Sequence, residues 1–117
     1  MDIRTKRAYE NPNDDDGQRI LVDRLWPRGL SKEKAKIEFW PKELAPSTEL
    51  RRWYGHDPEK WEEFKSRYFE ELDRHPDLVK ELLDRVCNGK VTFVYSSKER
   101  QLNNAVALKQ YVESYTC

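Results

Sequence analysis

Residues 19–29 read Arg-Ile-Leu-Val-Asp-Arg-Leu-Trp-Pro-Arg-Gly. The apolar run Ile20-Leu21-Val22 is the signature of a buried strand, and predicts a central strand over residues 19–25 that gives way to a Pro/Gly-fixed loop. A second stretch, KVTFVY at residues 90–95, is β-branched and aromatic and predicts a strand that runs into Ser96-Ser97-Lys98-Glu99-Arg100. The segment between them is helical in pattern, so it should join the two strands as a long crossover. Parallel pairing then brings the loops that follow both strands to one end of the sheet.

The other elements follow from local signals. Ile3, Thr5, Arg7 and Tyr9 alternate with polar neighbours, which predicts a strand over residues 2–8, followed by a turn in NPNDDDG. About nine residues separate this strand from the next, too few for a crossover helix, so an antiparallel relation is expected between them. Ser31 is placed to cap a short helix over residues 31–36. Ser47, Thr48 and Glu49 open another helix carrying Leu50, Trp53 and Tyr54, which should stop near Gly55. Asp57-Pro58-Glu59 is a stronger start: a capping carboxylate, then proline at the first helical position. Trp61, Phe64, Tyr68 and Leu72 define one face of that helix. Leu78, Val79, Leu82, Leu83 and Val86 define the next, up to Asn88-Gly89. A final helix from about residue 102 to 115 directs Val106, Leu108, Tyr111, Val112 and Tyr115 toward the core or its margin. The expected fold is an α/β sandwich of one domain, residues 1–117, with a mixed or mostly parallel central sheet flanked by helices.

Composition supports one core. Leu, Ile, Val and Phe make up 25 of 117 residues, close to the ~20% below which highly charged chains stay disordered, but 22 basic and 22 acidic side chains cancel. Four Trp, six Tyr and four Phe can supply an aromatic-rich core. Balanced charge provides no global field for a polyanion, which argues against nucleic acid as a bulk partner. The N-terminal residues MDIRTKRAYEN lack an apolar leader and no stretch is long and apolar enough to span a bilayer, so no membrane partner and a cytoplasmic location are expected. Cys87 and Cys117 show neither a CxxC nor a His-partnered spacing, so neither a disulfide nor a zinc site is expected.

Chemistry concentrates where the strands end, as ligands do in open α/β sheets. Between Asp23 and Gly29 stand two guanidiniums, a carboxylate and an indole. Arg28, held between Pro27 and Gly29, is suited to offer a bidentate fork to phosphate or carboxylate, with Asp23 orienting Arg24 or exchanging protons. The plainer alternative is a structural Asp-Arg pair with Trp26 plugging the sheet. Ser96, Ser97 and Lys98 precede a helix but lack the glycines of a phosphate loop, and Ser96 has no local base to make it a nucleophile. Asn103 and Asn104 are natural helix caps. His56 sits beside a helix start that favours the neutral imidazole, a form able to act as base; as a lone His it fits a structural role equally. Trp53, with Trp26, Tyr54 and Trp61, suits a core, though Arg51 and Arg52 between them keep a stacking pocket open. His56, His75 and scattered acids do not make a metal set, and no cofactor is implied.

The strings DDGQRILVDRLWPRGLSKEKA, PKELAPSTELRRWYGHDPEKWEEFKSRYFEEL and VTFVYSSKERQLNNAVALKQYV resemble the short, YeaO-like branch of the family called domain of unknown function 488. The likeness covers most of the chain and rests on DRLWPRG, LAPSTELR, GHDP-x-x-W and NNA-x-x-L. It implies a small cytosolic α/β protein, and no activity transfers with it. It also implies a recurring set of positions: Asp23, Arg24, Trp26, Pro27, Arg28, Gly29, Ser47, Arg51, Trp53, Gly55, His56, Trp61, Asn103 and Asn104. Ser96-Ser97-Lys98 departs from the more usual Gly-Ala-Lys or Gly-Ala-Arg, which weakens any requirement for a glycine there.

Three functions fit these residues. The first is a pocket at the strand carboxyl ends that binds a small phosphate- or carboxylate-bearing ligand, with Arg24, Trp26, Arg28, Arg51, Trp53, Lys98, Asn103 and Asn104 as binding residues. Asp23 and His56 would be the catalytic pair were the protein a hydrolase or transferase. The second is a noncatalytic interaction module using exposed Trp and Arg. The third is a metal-dependent enzyme in which His56 and carboxylates converge.

Overall fold

The computed structural model describes residues 1–117. Its sheet has three strands, β1 (Asp2–Arg7), β2 (Gln18–Leu21) and β3 (Lys90–Tyr95), in the order β1-β3-β2. Both outer strands run parallel to β3, with Ile3 opposite Val91 and Ile20 opposite Phe93. The five helices are α1 (Lys32–Ala35), α2 (Thr48–Tyr54), α3 (Trp61–Asp73), α4 (Pro76–Cys87) and α5 (Asn104–Glu113). The fold is therefore α/β with an all-parallel sheet, and the long crossover between β2 and β3 is present.

Alternation along the strands sorts the two faces. Ile3, Ile20, Val22, Val91, Phe93 and Tyr95 join the large core, into which α2 to α5 deliver Leu50, Tyr54, Trp61, Phe64, Tyr68, Leu72, Leu82, Val86, Leu108 and Val112. The opposite face carries Leu21, Val94 and Ala8 under Trp26, Leu30, Ile37 and Trp40. Trp26 and Trp40 meet edge to face there, 5.5 Å between centroids.

Two strand expectations need correction. β1 and β2 are parallel rather than antiparallel, and β3, not β2, is central. Ten residues of near-extended chain reach roughly 33 Å, more than the length of β1, so the return needs no helix. A single turn at Asp14–Asp16 suffices. β2 reads as central because it is covered on both faces and because its outer edge is also paired: the Leu21 N–H donates to the Phe39 carbonyl and the Glu38 N–H to that of Arg19.

The return loop is anchored by Asp16. Its carboxylate accepts from Arg19 Nη1 at 2.7 Å, from Lys6 Nζ at 3.1 Å and from the Asn13 N–H at 3.0 Å, while its carbonyl accepts from Thr92 Oγ1 on β3. Gly17 follows with φ 63°, and a β-carbon there would overlap the Lys90 carbonyl, so only glycine lets the loop join β2 this close to the start of β3.

The helix signals behave as local chemistry dictates. Ser31, Ser47, Asp57 and Asn103 each accept an N–H of the turn they open. Gly55 closes α2 in the left-handed conformation. Of the last helix, Leu108, Tyr111 and Val112 are buried, whereas Tyr115 lies beyond its end and is exposed.

The cysteines also require correction: Cys87 and Cys117 form a disulfide, with Cα atoms 5.5 Å apart. The end of α4 and the segment after α5 meet only in the folded chain, so a separation of 30 residues carries no local sign of the pairing.

Burial by itself would raise the Asp16 carboxyl pKa, but the Asn13 N–H and the Lys6 and Arg19 cations outweigh it and hold the group below its ordinary value. A depressed pKa stabilises the fold above the unfolded value, and that stabilisation is lost as pH falls through the folded value. Asp16→Asn should therefore cost about 3 kcal/mol at pH 7 by leaving buried Arg19 unpaired. Urea denaturation should show the gap from wild type narrowing below about pH 4.

Candidate functional site

The parallel pairing of β2 with β3 sets the residues that follow each strand side by side, and one carboxylate joins them. Asp23 Oδ2 accepts from the Ser96 N–H at 2.8 Å and from the Ser96 hydroxyl at 2.6 Å. Its Oδ1 accepts from Asn104 Nδ2 at 3.0 Å, and the same amide donates to the Val22 carbonyl. The ends of β2 and β3 and the first residue of α5 are thus tied together.

Two guanidiniums brace the surroundings. Arg7 donates to the carbonyls of Ser96 and Ser97 at 3.0 and 2.8 Å, fixing the loop after β3. Arg24 donates to the carbonyls of Ala45, at 3.1 Å, and Pro46, fixing the entrance to α2 against the loop after β2. At that entrance Glu71 receives both the N–H and the hydroxyl of Ser47. Trp26 donates to the Leu30 carbonyl and Tyr9 to that of Arg28, which shapes the DRLWPRG loop.

Above this framework opens a cavity of about 740 Å³. Its cationic lining is Arg24, Arg28, Arg51 and Arg52, against one carboxylate, Asp23, and the His56 imidazole borders the same space. Hydroxyl and amide groups come from Thr48, Ser96, Ser97 and Asn104; Leu25, Trp26, Pro27, Pro46 and Phe64 are its apolar part. None of the four arginines takes part in an ion pair.

Asp23, Arg24, Trp26, Arg28, Arg51, His56 and Asn104 accordingly share one cavity. Trp53, Lys98 and Asn103 do not line it. Trp53 turns to the other side of α2, where the Arg67 guanidinium lies 4.3 Å from its ring centroid and Lys60 Nζ 5.2 Å. Asn103 is buried as the cap of α5 and donates to the Glu99 carbonyl. Lys98 is exposed. Arg52, Thr48 and Tyr9 also line it; Thr48 and Arg52 are an i, i+4 pair on the helix face that also carries Arg51, a spacing that could have found them. Tyr9 gives no such sign, because its approach depends on where β1 lies.

His56 has φ 56°, in the left-handed region that non-glycine side chains seldom adopt. It directly follows left-handed Gly55, and its ring lies 5.6 Å from that of Tyr54. Burial, with the Glu99 and Asp57 charges, pushes the Tyr54 hydroxyl up to about 12, and it donates to the Leu102 carbonyl. Glu99 accepts the N–H groups of Leu102 and Gln101, which hold its carboxyl below the ordinary range, helped by His56 nearby.

No three His, Cys, Asp or Glu side chains converge as a metal site would require. Trp61 is buried, while Trp26 and Trp53 are half-buried, so these tryptophans do not form an exposed platform.

The sequence matches, over residues 2–116, the family described as the inactive DUF488-N3 subclade. The chain belongs to the DUF488 family. Among its relatives is the uncharacterized protein Rv3073c of Mycobacterium tuberculosis, 44% identical over 108 residues that cover 92% of this chain and 91% of the relative. Another is the uncharacterized protein YeaO of Escherichia coli, 39% identical over 114 residues, or 97% and 99% of the two chains. No solved structure matches.

Two substitutions separate framework from site. Asp23→Ala should destabilise the fold by about 2 to 4 kcal/mol, since it strips Ser96 and Asn104 of their shared acceptor. His56→Gly should leave thermal stability unchanged or raise it by up to about 1 kcal/mol, because glycine accepts the left-handed backbone without strain. Thermal unfolding of the two variants checks both.

Proposed function

We propose that the protein binds a small anionic ligand, phosphate- or carboxylate-bearing, in the cavity at the carboxyl ends of β2 and β3. The observation that carries this reading is the charge imbalance. Arg28, Arg51 and Arg52 face a ligand-sized space without an ion-pair partner, and the single carboxylate there is already occupied on both oxygens. Cationic forks in a concave, partly apolar site suit an incoming anion, and a volume between ~300 and 1,000 Å³ is that of small-molecule sites.

Binding without turnover is the reading we favour. Asp23 accepts three hydrogen bonds from Ser96 and Asn104, so both of its oxygens are engaged in holding the strand ends and the start of α5 together. Ser96 gives both its N–H and its hydroxyl hydrogen to this same group, a paired contact that serves the framework. The description of the matching subclade as inactive agrees with a recognition role. No helix is long and apolar enough to cross a membrane, and we place the protein in the cytoplasm.

Titration with phosphate and citrate, followed by thermal shift and calorimetry, tests the proposal. A ligand at 100 times its Kd should add roughly 2.7 kcal/mol of stability. Arg28→Ala and Arg51→Ala should each weaken binding about tenfold or more without lowering the unliganded melting temperature. Retention of full affinity by both variants would sink the proposal.

A further inference from the structure

The cavity presents three open guanidiniums from two separate elements, and this arrangement specifies the ligand further. The inference rests on the anion-binding reading just given. Each guanidinium is a planar fork best satisfied by two acceptor oxygens. Arg24 already spends its fork on the carbonyls of Ala45 and Pro46. Arg28, Arg51 and Arg52 remain, with no ion pair, and His56 adds a further nitrogen base to the lining. Three open forks offer about six N–H contacts, which linked phosphates can meet from separate groups, whereas a single phosphate meets them only if all three guanidiniums crowd around it.

The charges also come from two different elements rather than one. Arg51 and Arg52 stand on α2 with Thr48 one turn earlier, whereas Arg28 belongs to the loop after β2, whose position is set by the Tyr9 hydroxyl on its carbonyl. One compact anion would leave a wall of the 740 Å³ space unsatisfied. A chain of linked phosphates would span both walls. Leu25, 69% exposed, and Tyr9, 44% exposed, edge the same cavity and give an apolar margin for whatever the phosphates are esterified to.

We infer that the cavity recognises a polyphosphate chain of two or three phosphates, gripped between Arg28 on one wall and the Arg51-Arg52 pair on the other. The shared chemistry is the phosphoanhydride chain, free or esterified. No bond is made or broken in this recognition.

Calorimetry on the full chain, without divalent metal, should compare inorganic phosphate, pyrophosphate, tripolyphosphate and a nucleoside triphosphate. Pyrophosphate or tripolyphosphate should bind at least about tenfold more tightly than phosphate. Arg51→Ala/Arg52→Ala should erase that preference while leaving weak phosphate binding. The Lys pair at the same positions, which keeps charge and loses the forks, should fall between. Lys80→Ala, exposed on α4 and outside the cavity, should change nothing, which separates a site from general attraction. Tighter binding of the nucleotide than of tripolyphosphate, lost in Leu25→Ala, would identify an esterified chain; equal binding would identify the inorganic one. Equal affinity for phosphate and tripolyphosphate would overturn the inference and leave the anion-binding reading standing. Absence of binding by every probe would remove both.

Discussion

The Asp23 carboxylate is the point through which the fold and the cavity communicate. A parallel pair of strands leaves both carboxyl ends on one side with their terminal N–H and C=O groups needing partners, and nothing in the sheet itself supplies them. Asp23 serves the Ser96 N–H and hydroxyl and, through Asn104, the start of α5. Arg7 and Arg24 then pin the flanking loops through main-chain carbonyls. The cavity floor is a hydrogen-bonded lattice of main-chain and short side-chain groups, and the arginines above it inherit their positions from that floor.

This division explains why charges that look interchangeable in the sequence behave differently. Arg24 and Arg28 are four residues apart in one loop, yet Arg24 is consumed by the framework while Arg28 is exposed with its side chain unpaired. Arg51 and Arg52 project from a short helix whose own start is fixed by Glu71 through Ser47. The acidic half of the composition, equal in number to the basic half, is mostly placed elsewhere on the surface. A neutral chain thereby presents a locally cationic recess.

Legibility followed the range of the interaction. The caps at Ser31, Ser47 and Asp57 were readable because each is a contact between near neighbours, and the core face of α3 because 3.6-residue periodicity fixes it. The crossover from β2 to β3 was readable from the length of the helical segment between them. The direction of β1 against β2 was not, since β3 lies between them and ten residues of loop permit either sense. The DRLWPRG and NNA strings pointed to the end of the sheet where the cavity lies. They did not tell Trp53 from Arg52, because a single helical step of about 100° decides which side chain faces the recess, or Asn103 from Asn104, because the first is spent as the extended cap of α5 and only the second reaches Asp23.

The bond between Cys87 and Cys117 alters how the chain would respond to being pulled. It encloses β3 and α5 in a covalent loop whose two ends meet at the close of α4. With the bond intact, tension applied at residue 117 passes straight to α4 and bypasses the loop, so a processive unfolding machine gripping that end must first extract a helix buried through Val79, Leu82 and Val86. With the bond reduced, the same tension peels α5 and then β3, the strand to which both others are hydrogen-bonded. The redox state of two exposed cysteines thus sets whether the sheet comes apart from its middle or is shielded until α4 gives way.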